Sequence, residues 1–120
     1  MPDRVKDRMQ TALRCCVPHQ RLLDALEIMG EEDWNWVPVV ETHAGAEWLG
    51  WITSHDAAVF LGSYDKRPSE VMCRELLAAP PDLLAPDMDL DDAYRRLDHT
   101  VLLQLPVVAD GKLVGILSRA

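Results

Sequence analysis

The pentapeptide WVPVV at 36–40 returns sixty-eight residues later as QLPVV at 104–108. A chain that writes one apolar strand twice at a fixed offset folds as two related halves, because repeated supersecondary units bury their apolar faces against one another. The register extends backwards without a gap. Pro18 faces Pro86, Leu22 faces Leu90, Asp24 faces Asp92 and Ala25 faces Ala93, which with the PVV strands makes seven identities in twenty-three positions. Chance gives about one or two at ordinary residue frequencies. Forwards, one indel suffices: ETHAGAEWLG (41–50) is three residues longer than ADGKLVG (109–115), after which GWITSHD (50–56) answers GILSRA (115–120). Upstream, VKDRM (5–9) and PSEVM (68–72) each end in methionine. The repeat divides the chain into 1–66 and 67–120.

Within each copy the periodicity changes in a readable way. Leu22, Ala25, Leu26 and Met29 lie at helical spacing, and so do Leu90, Ala93, Tyr94 and Leu97. Each of these amphipathic helices is preceded by a proline, which shapes a helix entry without losing a hydrogen bond. VPVVE and LPVVAD are short and rich in β-branched residues, and a glycine-containing turn leads from each to EWLGWIT or KLVGILS, which predicts strand, hairpin, strand. Proline is tolerated at the start of a strand, so Pro38 and Pro106 are expected to begin theirs. SHDAAVFLGSY predicts a second helix ending near Gly62. The expected fold is α+β, with two β-α-β-β-α repeats, each too small to bury its apolar face alone.

Charge and cysteine content exclude several classes. Twenty acidic against twelve basic residues leave a net charge of -8, which repels a phosphate backbone, so nucleic acid is not an expected partner. No apolar run reaches the roughly eighteen residues of a membrane span, and MPDRVKDRMQ has no apolar stretch like that of a signal peptide. Three cysteines, Cys15, Cys16 and Cys73, cannot all pair, which fits a reducing, cytoplasmic compartment and buried thiols. His19, His43, His55 and His99 show no ligand spacing with them, so no metal site is expected. A nucleophile with its base or a phosphate loop is absent from the sequence, and the chain is not expected to be an enzyme.

The ordered set of a methionine, a proline nine residues on, L-x-[DE]-A, h-P-V-V and G-h-h-[TS]-x-x-D resembles the CBS domain, here as the tandem pair called a Bateman module. The first copy carries it in Met9, Pro18, Leu22, Asp24, Ala25, VPVV (37–40) and GWITSHD (50–56). The second carries it from Pro86 through LPVV (105–108) to GILS (115–118), with a longer linker from Met72 to Pro86. The resemblance implies two repeats packed about a pseudo-twofold. It also implies clefts that bind adenosyl ligands (AMP, ADP, ATP, sometimes S-adenosylmethionine or NAD), dimerisation of the module, and control of an enzyme, channel or transporter. No cofactor is required for such a role.

ITSHDAA ends a strand and opens a helix, where unpaired amides and the helix dipole suit phosphate oxygens. Carried over from the family, Thr53 matches a phosphate contact and Asp56 an acceptor for ribose hydroxyls. His55, inside the motif, either meets the phosphate or is a solvent-facing residue of the first helical turn. The adenine positions are Val37 and Pro38 with an expected strand around Leu13 to Cys15. Thr-x-x-Asp is equally a helix-capping pattern, with Thr53 as the cap and Asp56 reaching back, and needs no ligand. In the second copy Ser118 keeps the hydroxyl, but the sequence stops at Ala120, before the aspartate position and the final helix. Either the native chain continues or only the first site is competent. Four tryptophans, Trp34, Trp36, Trp48 and Trp51, stand where the second copy has Leu102, Gln104, Leu113 and Ile116. They serve either as extra core or as an aromatic surface for dimerisation or base stacking. A docking module with an empty cleft is therefore the alternative to a nucleotide sensor.

Overall fold

A computed structural model describes residues 3–80, 82–100 and 103–119. Leu102, opposite Trp34, and Ala120 lie outside them. The elements are helices α1 (Leu22–Glu32), α2 (Ser54–Ser63) and α3 (Leu90–Asp98) with strands β1 (Trp36–Val40), β2 (Trp48–Thr53), β3 (Gln104–Ala109) and β4 (Lys112–Ser118). Short 3₁₀ turns occupy Val5–Asp7, Pro68–Glu70 and Cys73–Glu75.

The helices follow the apolar spacing. On α1, Leu22, Ala25, Ile28 and Met29 are buried and Leu26 is half-buried; on α3, Leu90, Ala93 and Leu97 are buried. The Asp24 carboxylate accepts from the Arg21 amide at 3.2 Å and so caps the start of α1. At the other end Asp33 takes the left-handed conformation (φ 58°), and the Trp34 amide donates back to the Met29 carbonyl.

Both hairpins are antiparallel and share one irregularity. Val39 pairs with Gly50 and Val40 with Trp48, so Leu49 is the extra residue of a bulge; Val107 pairs with Gly115 and Val108 with Leu113, so Val114 is its counterpart. The indel falls in the connection. Residues 41–47 join β1 to β2, whereas Asp110 and Gly111, both left-handed (φ 53° and 76°), form the tight turn between β3 and β4.

The compact units differ from the two sequence copies. One is Arg14–Pro80; the other joins the N-terminal residues, up to Leu13, to the chain beyond Pro81. In the first unit Cys16 bridges β1 at Val39, and Ala78 bridges β2 at Trp51, both on the outer edges of the hairpin. In the second, Leu84 bridges β3 at Val107, and Gln10 bridges β4 at Ile116. The offset of sixty-eight relates Cys16 to Leu84 and Gln10 to Ala78. The segment ahead of each copy therefore completes the sheet edge of the other.

The same exchange holds at the helix entries. The Val5 amide donates to Met88, Lys6 to Pro86 and Leu90 to Asp3, just as Cys73 donates to Gln20, Arg74 to Pro18 and Leu22 to Val71. This register corrects the alignment of the two upstream methionines. Arg4, not Met9, is the equivalent of Met72, and it precedes Pro18 by the distance at which Met72 precedes Pro86. The second copy has no longer linker; the chance methionine at position 9 made it look so.

Two further expectations are corrected. Pro38 and Pro106 sit inside their strands, opposite Trp51 and Ile116, rather than at the start. Each proline's missing amide lies on the edge that carries only a single bridge residue, so no ladder bond is lost; its carbonyl accepts from Cys16 or Leu84 at 2.9 Å. The strand expected around Leu13 to Cys15 is reduced to that bridge, at Cys16.

The core of the second unit is Val5, Leu84, Leu90, Ala93, Leu97, Leu105, Val107 and Leu117, with Met9, Met88, Tyr94 and Val114 around it. In the first unit Leu22, Ala25, Met29, Val37, Val39 and Ile52 are buried at the corresponding positions. Trp34, Trp36 and Trp51 are buried as well, and the Trp36 and Trp51 rings meet at 5.0 Å. Three of the four tryptophans thus add to the core of the first unit.

Gly50 and Gly115 occupy the bulges where the edge segment comes closest. A Cβ at Gly50 would collide with the Ala78 backbone carbonyl, whereas one at Gly115 would meet chiefly the flexible Met9 side chain. Gly50→Ala is expected to destabilise the protein by about 2 kcal/mol and Gly115→Ala by distinctly less. Urea unfolding of both variants checks the order; equal losses would contradict this account of the sheet edge.

Candidate ligand site at the start of the second helix

Thr53 is the last residue of β2 and the N-cap of α2. Its backbone is extended (φ -96°, ψ 153°), and its buried hydroxyl accepts from the Asp56 amide at 3.0 Å. The Ser54 amide is satisfied by the Asn35 carbonyl at 2.8 Å. These bonds consume two of the orphan amides of the first turn; the His55 amide, one position on, points out of the helix start without an intrahelical acceptor. The positive end of the α2 dipole is concentrated there.

The capping pattern read from Thr-x-x-Asp is only half realised. Thr53 caps, but the Asp56 carboxylate does not reach back; it is exposed and makes no hydrogen bond or ion pair among the described residues. His55 is exposed beside it. Asp56 also lies at the rim of a cleft of about 380 Å³ whose apolar wall is Val59, Phe60, Tyr64, Leu76 and Leu77. None of the other expected site residues lines that cleft.

Val37 and Pro38 are buried in β1, and Cys15 is half-buried next to the Cys16 bridge. Burial pushes the Cys15 thiol up to about 11, so it is a protonated, apolar contact at neutral pH. The first unit therefore contains Cys15, Val37, Pro38, Thr53, His55 and Asp56. Leu13 and Ser118 belong to the other compact unit. Groups of three or more His, Cys, Asp or Glu side chains able to hold a metal ion are absent among the described residues.

One residue of the neighbourhood carries a signal that sequence patterns do not disclose. Trp36 pairs across the hairpin with Thr53, and its indole Nε1–H is buried without an acceptor among the described residues. A buried unpaired donor costs about 1–3 kcal/mol unless something satisfies it. At the equivalent position Gln104 pairs with Ser118, and its amide donates to the Ser118 hydroxyl at 3.1 Å. The cross-strand pair of the second copy is closed on itself; that of the first retains an open donor.

The chain matches the CBS domain family over residues 5–62 and 69–120. It belongs to that family, as a tandem pair. CBS-domain pairs are regulatory, non-catalytic modules. Among curated relatives, the CBS domain-containing protein YhcV of Bacillus subtilis is 31% identical over 118 residues, covering 95% of this chain and 79% of that protein. A Methanopyrus kandleri protein is 32% identical over 81 residues, which is 67% of this chain and 41% of its own length. The chain thus spans less than half of one relative and about four fifths of the other. Among solved structures, the CBS-pair protein CBSX2 from Arabidopsis thaliana superposes with a TM-score of 0.80 at 28% identity, over 99% of this chain and 90% of that one. A crystal structure of CBSX2 in complex with AMP matches at 30% identity and TM-score 0.78, covering 97% and 90%. Among the described residues, no helix is long and apolar enough to cross a membrane.

The half-realised cap separates the two residues experimentally. Thr53→Ala is expected to lower the unfolding free energy by about 1 kcal/mol. Asp56→Ala, which breaks no bond, costs distinctly less. Thermal or urea unfolding of the two variants checks this, and an equal loss would make the Asp56 carboxylate a structural cap.

Proposed function

We propose that this CBS pair is a ligand-sensing regulatory module that binds an adenosyl ligand of the AMP, ADP or ATP type. The carrying observation is the Asp56 carboxylate, exposed and unengaged one turn into a helix whose cap is already supplied by Thr53. A carboxylate free of structural duty at a helix start is suited to accept from two ribose hydroxyls, while the amide of His55 and the helix dipole receive a phosphate. Thr53 positions that turn, Val37 and Pro38 with Cys15 form the adenine surface, and His55 flanks the phosphate. AMP bound to a CBS pair of similar fold supports the choice of ligand class. The unpaired Trp36 donor joins the set as a group that a ligand polar atom can satisfy.

Ser118 is the corresponding group of the second copy, and its engagement by Gln104 makes that copy the weaker site. In this reading one site per chain is competent. The module acts by binding its ligand differently in two states of a partner enzyme, channel or transporter, and it works in the cytoplasm as a homodimer.

Docking without a ligand is a second reading, favoured by the apolar outer face of α2, where Val59 and Tyr64 are 55% and 56% exposed. Calorimetric titration with AMP, ADP, ATP, NAD and S-adenosylmethionine separates the two. The expected result is binding of at least one adenine nucleotide, with affinity lost at least tenfold in Asp56→Ala while its melting temperature stays near that of the parent. Absence of binding by all five compounds, in a protein that sediments as a dimer, would support docking and overturn the sensor.

A further inference from the structure

The cleft that Asp56 borders is built wholly inside the first compact unit, and of its lining residues only Asp56 belongs to the proposed adenosyl site. One side is α2, where Asp56 and Phe60 lie four positions apart on one face and Tyr64 follows four further on, just past the last turn. The other side is the 3₁₀ turn Cys73–Glu75 with Leu76 and Leu77. That side is pinned to the sheet. The next residue, Ala78, exchanges both backbone hydrogen bonds with Trp51, at 2.9 and 3.0 Å.

The lining is of two kinds. Leu76 is buried, Leu77 is half-buried, and the Phe60 and Tyr64 rings meet at a centroid distance of 4.7 Å, tilted by 40°. Against this apolar wall stand the carboxylates of Asp56 and Glu75, and no Lys, Arg or His lines the cleft among the described residues. Neither carboxylate has a cationic partner among those residues. Glu75 accepts from the Met72 amide at 2.7 Å through Oε2, which holds the group in place without neutralising it.

The helix adds to the same potential. Phe60 and Tyr64 stand at the C-terminal end of α2, whose last turn carries no basic residue, so the negative end of its dipole is not offset by its own side chains. Ring faces, carboxylates and a helix C-terminus all favour positive charge, and the apolar wall favours a flat apolar body. An anion of the same shape meets like charge instead. A volume of about 380 Å³ suits a compact small molecule.

We propose that this cleft binds a small organic cation, a protonated amine on an aromatic body. Its ring lies against Phe60, Tyr64 and the two leucines, and its ammonium is held by Glu75 and Asp56. The cleft is thus a ligand position of opposite charge preference to the start of α2, where the dipole favours phosphate. Glu75, Phe60 and Tyr64 serve the cleft alone, so its failure and that of the adenosyl site are separable.

The test is a titration of the isotopically labelled full chain with phenethylamine at neutral pH, followed by amide chemical shifts. Phenylacetate serves as the anion of like shape, and N-acetyl-lysinamide as the ammonium of a protein side chain. Saturable shifts are expected with phenethylamine on the amides of residues 60–64 and of Leu76 and Leu77, with none from phenylacetate and weaker binding of the lysine compound. Glu75→Gln keeps an oxygen for the Met72 amide and removes the charge, whereas Phe60→Leu keeps apolar bulk and removes the ring face. Each is expected to weaken phenethylamine about threefold while melting near the temperature of the parent, with AMP titrations unchanged. Phenylacetate bound as tightly as the amine, tighter binding of N-acetyl-lysinamide, unaltered amine affinity in Glu75→Gln, or no saturable shift at the cleft would each overturn the assignment. Should Phe60→Leu fail to fold, Glu75→Gln, a change on an exposed turn, decides alone.

Discussion

The unfinished edge of a two-stranded hairpin is the constraint on which the rest of this structure depends. Two strands alone are marginal, because too little apolar surface is covered and both outer edges present unpaired amides and carbonyls. Here each hairpin is finished by two single-residue bridges. Cys16 and Ala78 close the first, and Leu84 and Gln10 close the second. Since Gln10 and Ala78 each precede the copy they do not complete, neither copy makes a finished sheet from its own residues. The bulges beside Gly50 and Gly115 belong to the same device, since they bend β2 and β4 where the borrowed segment comes close.

On this shared frame the two units have diverged at a few positions, among them the starts of β1 and β3, which pair with the ends of β2 and β4. The pair Gln104 and Ser118 satisfies itself, whereas Trp36 and Thr53 leave an indole donor unmet and spend the hydroxyl on capping α2. The first unit also gathers three buried tryptophans, whose counterparts in sequence are Leu102, Gln104 and Ile116, and two buried thiols, whose counterparts are Leu84 and Val5. A fold built twice thus compares a closed position with an open one inside the same chain. In the open one, Asp56 is a charge without a structural partner among the described residues.

Much of this was legible in the sequence, for physical reasons that differ between elements. The helices α1 and α3 announce themselves because Leu22, Ala25 and Met29, and Leu90, Ala93 and Leu97, repeat at the helical period on a single buried face. The hairpins are legible because β-branched runs flank glycine-containing turns. The edge exchange was not, since a single bridge residue such as Gln10 or Ala78 has no periodicity to read, and the methionines at 9 and 72 suggested a false register. The prolines misled in the opposite direction. Local chemistry places Pro38 at a strand start, but a strand whose outer edge bears only one bridge tolerates it within. At the candidate site, Thr53 as a cap was readable from spacing. The idle carboxylate of Asp56 and the open donor of Trp36 depend on side-chain packing that spacing does not encode.

On the proposed reading, the start of α2, with the Trp36 end of β1 beside it, is where a small adenosyl ligand acts. Amide and indole chemical shifts of the isotopically labelled protein, followed while AMP is added, test it most directly. The account predicts that the largest saturable shifts fall on the amides of Ser54, His55 and Asp56 and on the Trp36 indole N–H, with the Gln104 side-chain amide moving little. Shifts confined to Val59–Tyr64 of the exposed helix face, or no saturable shift with AMP or with ATP, would contradict it.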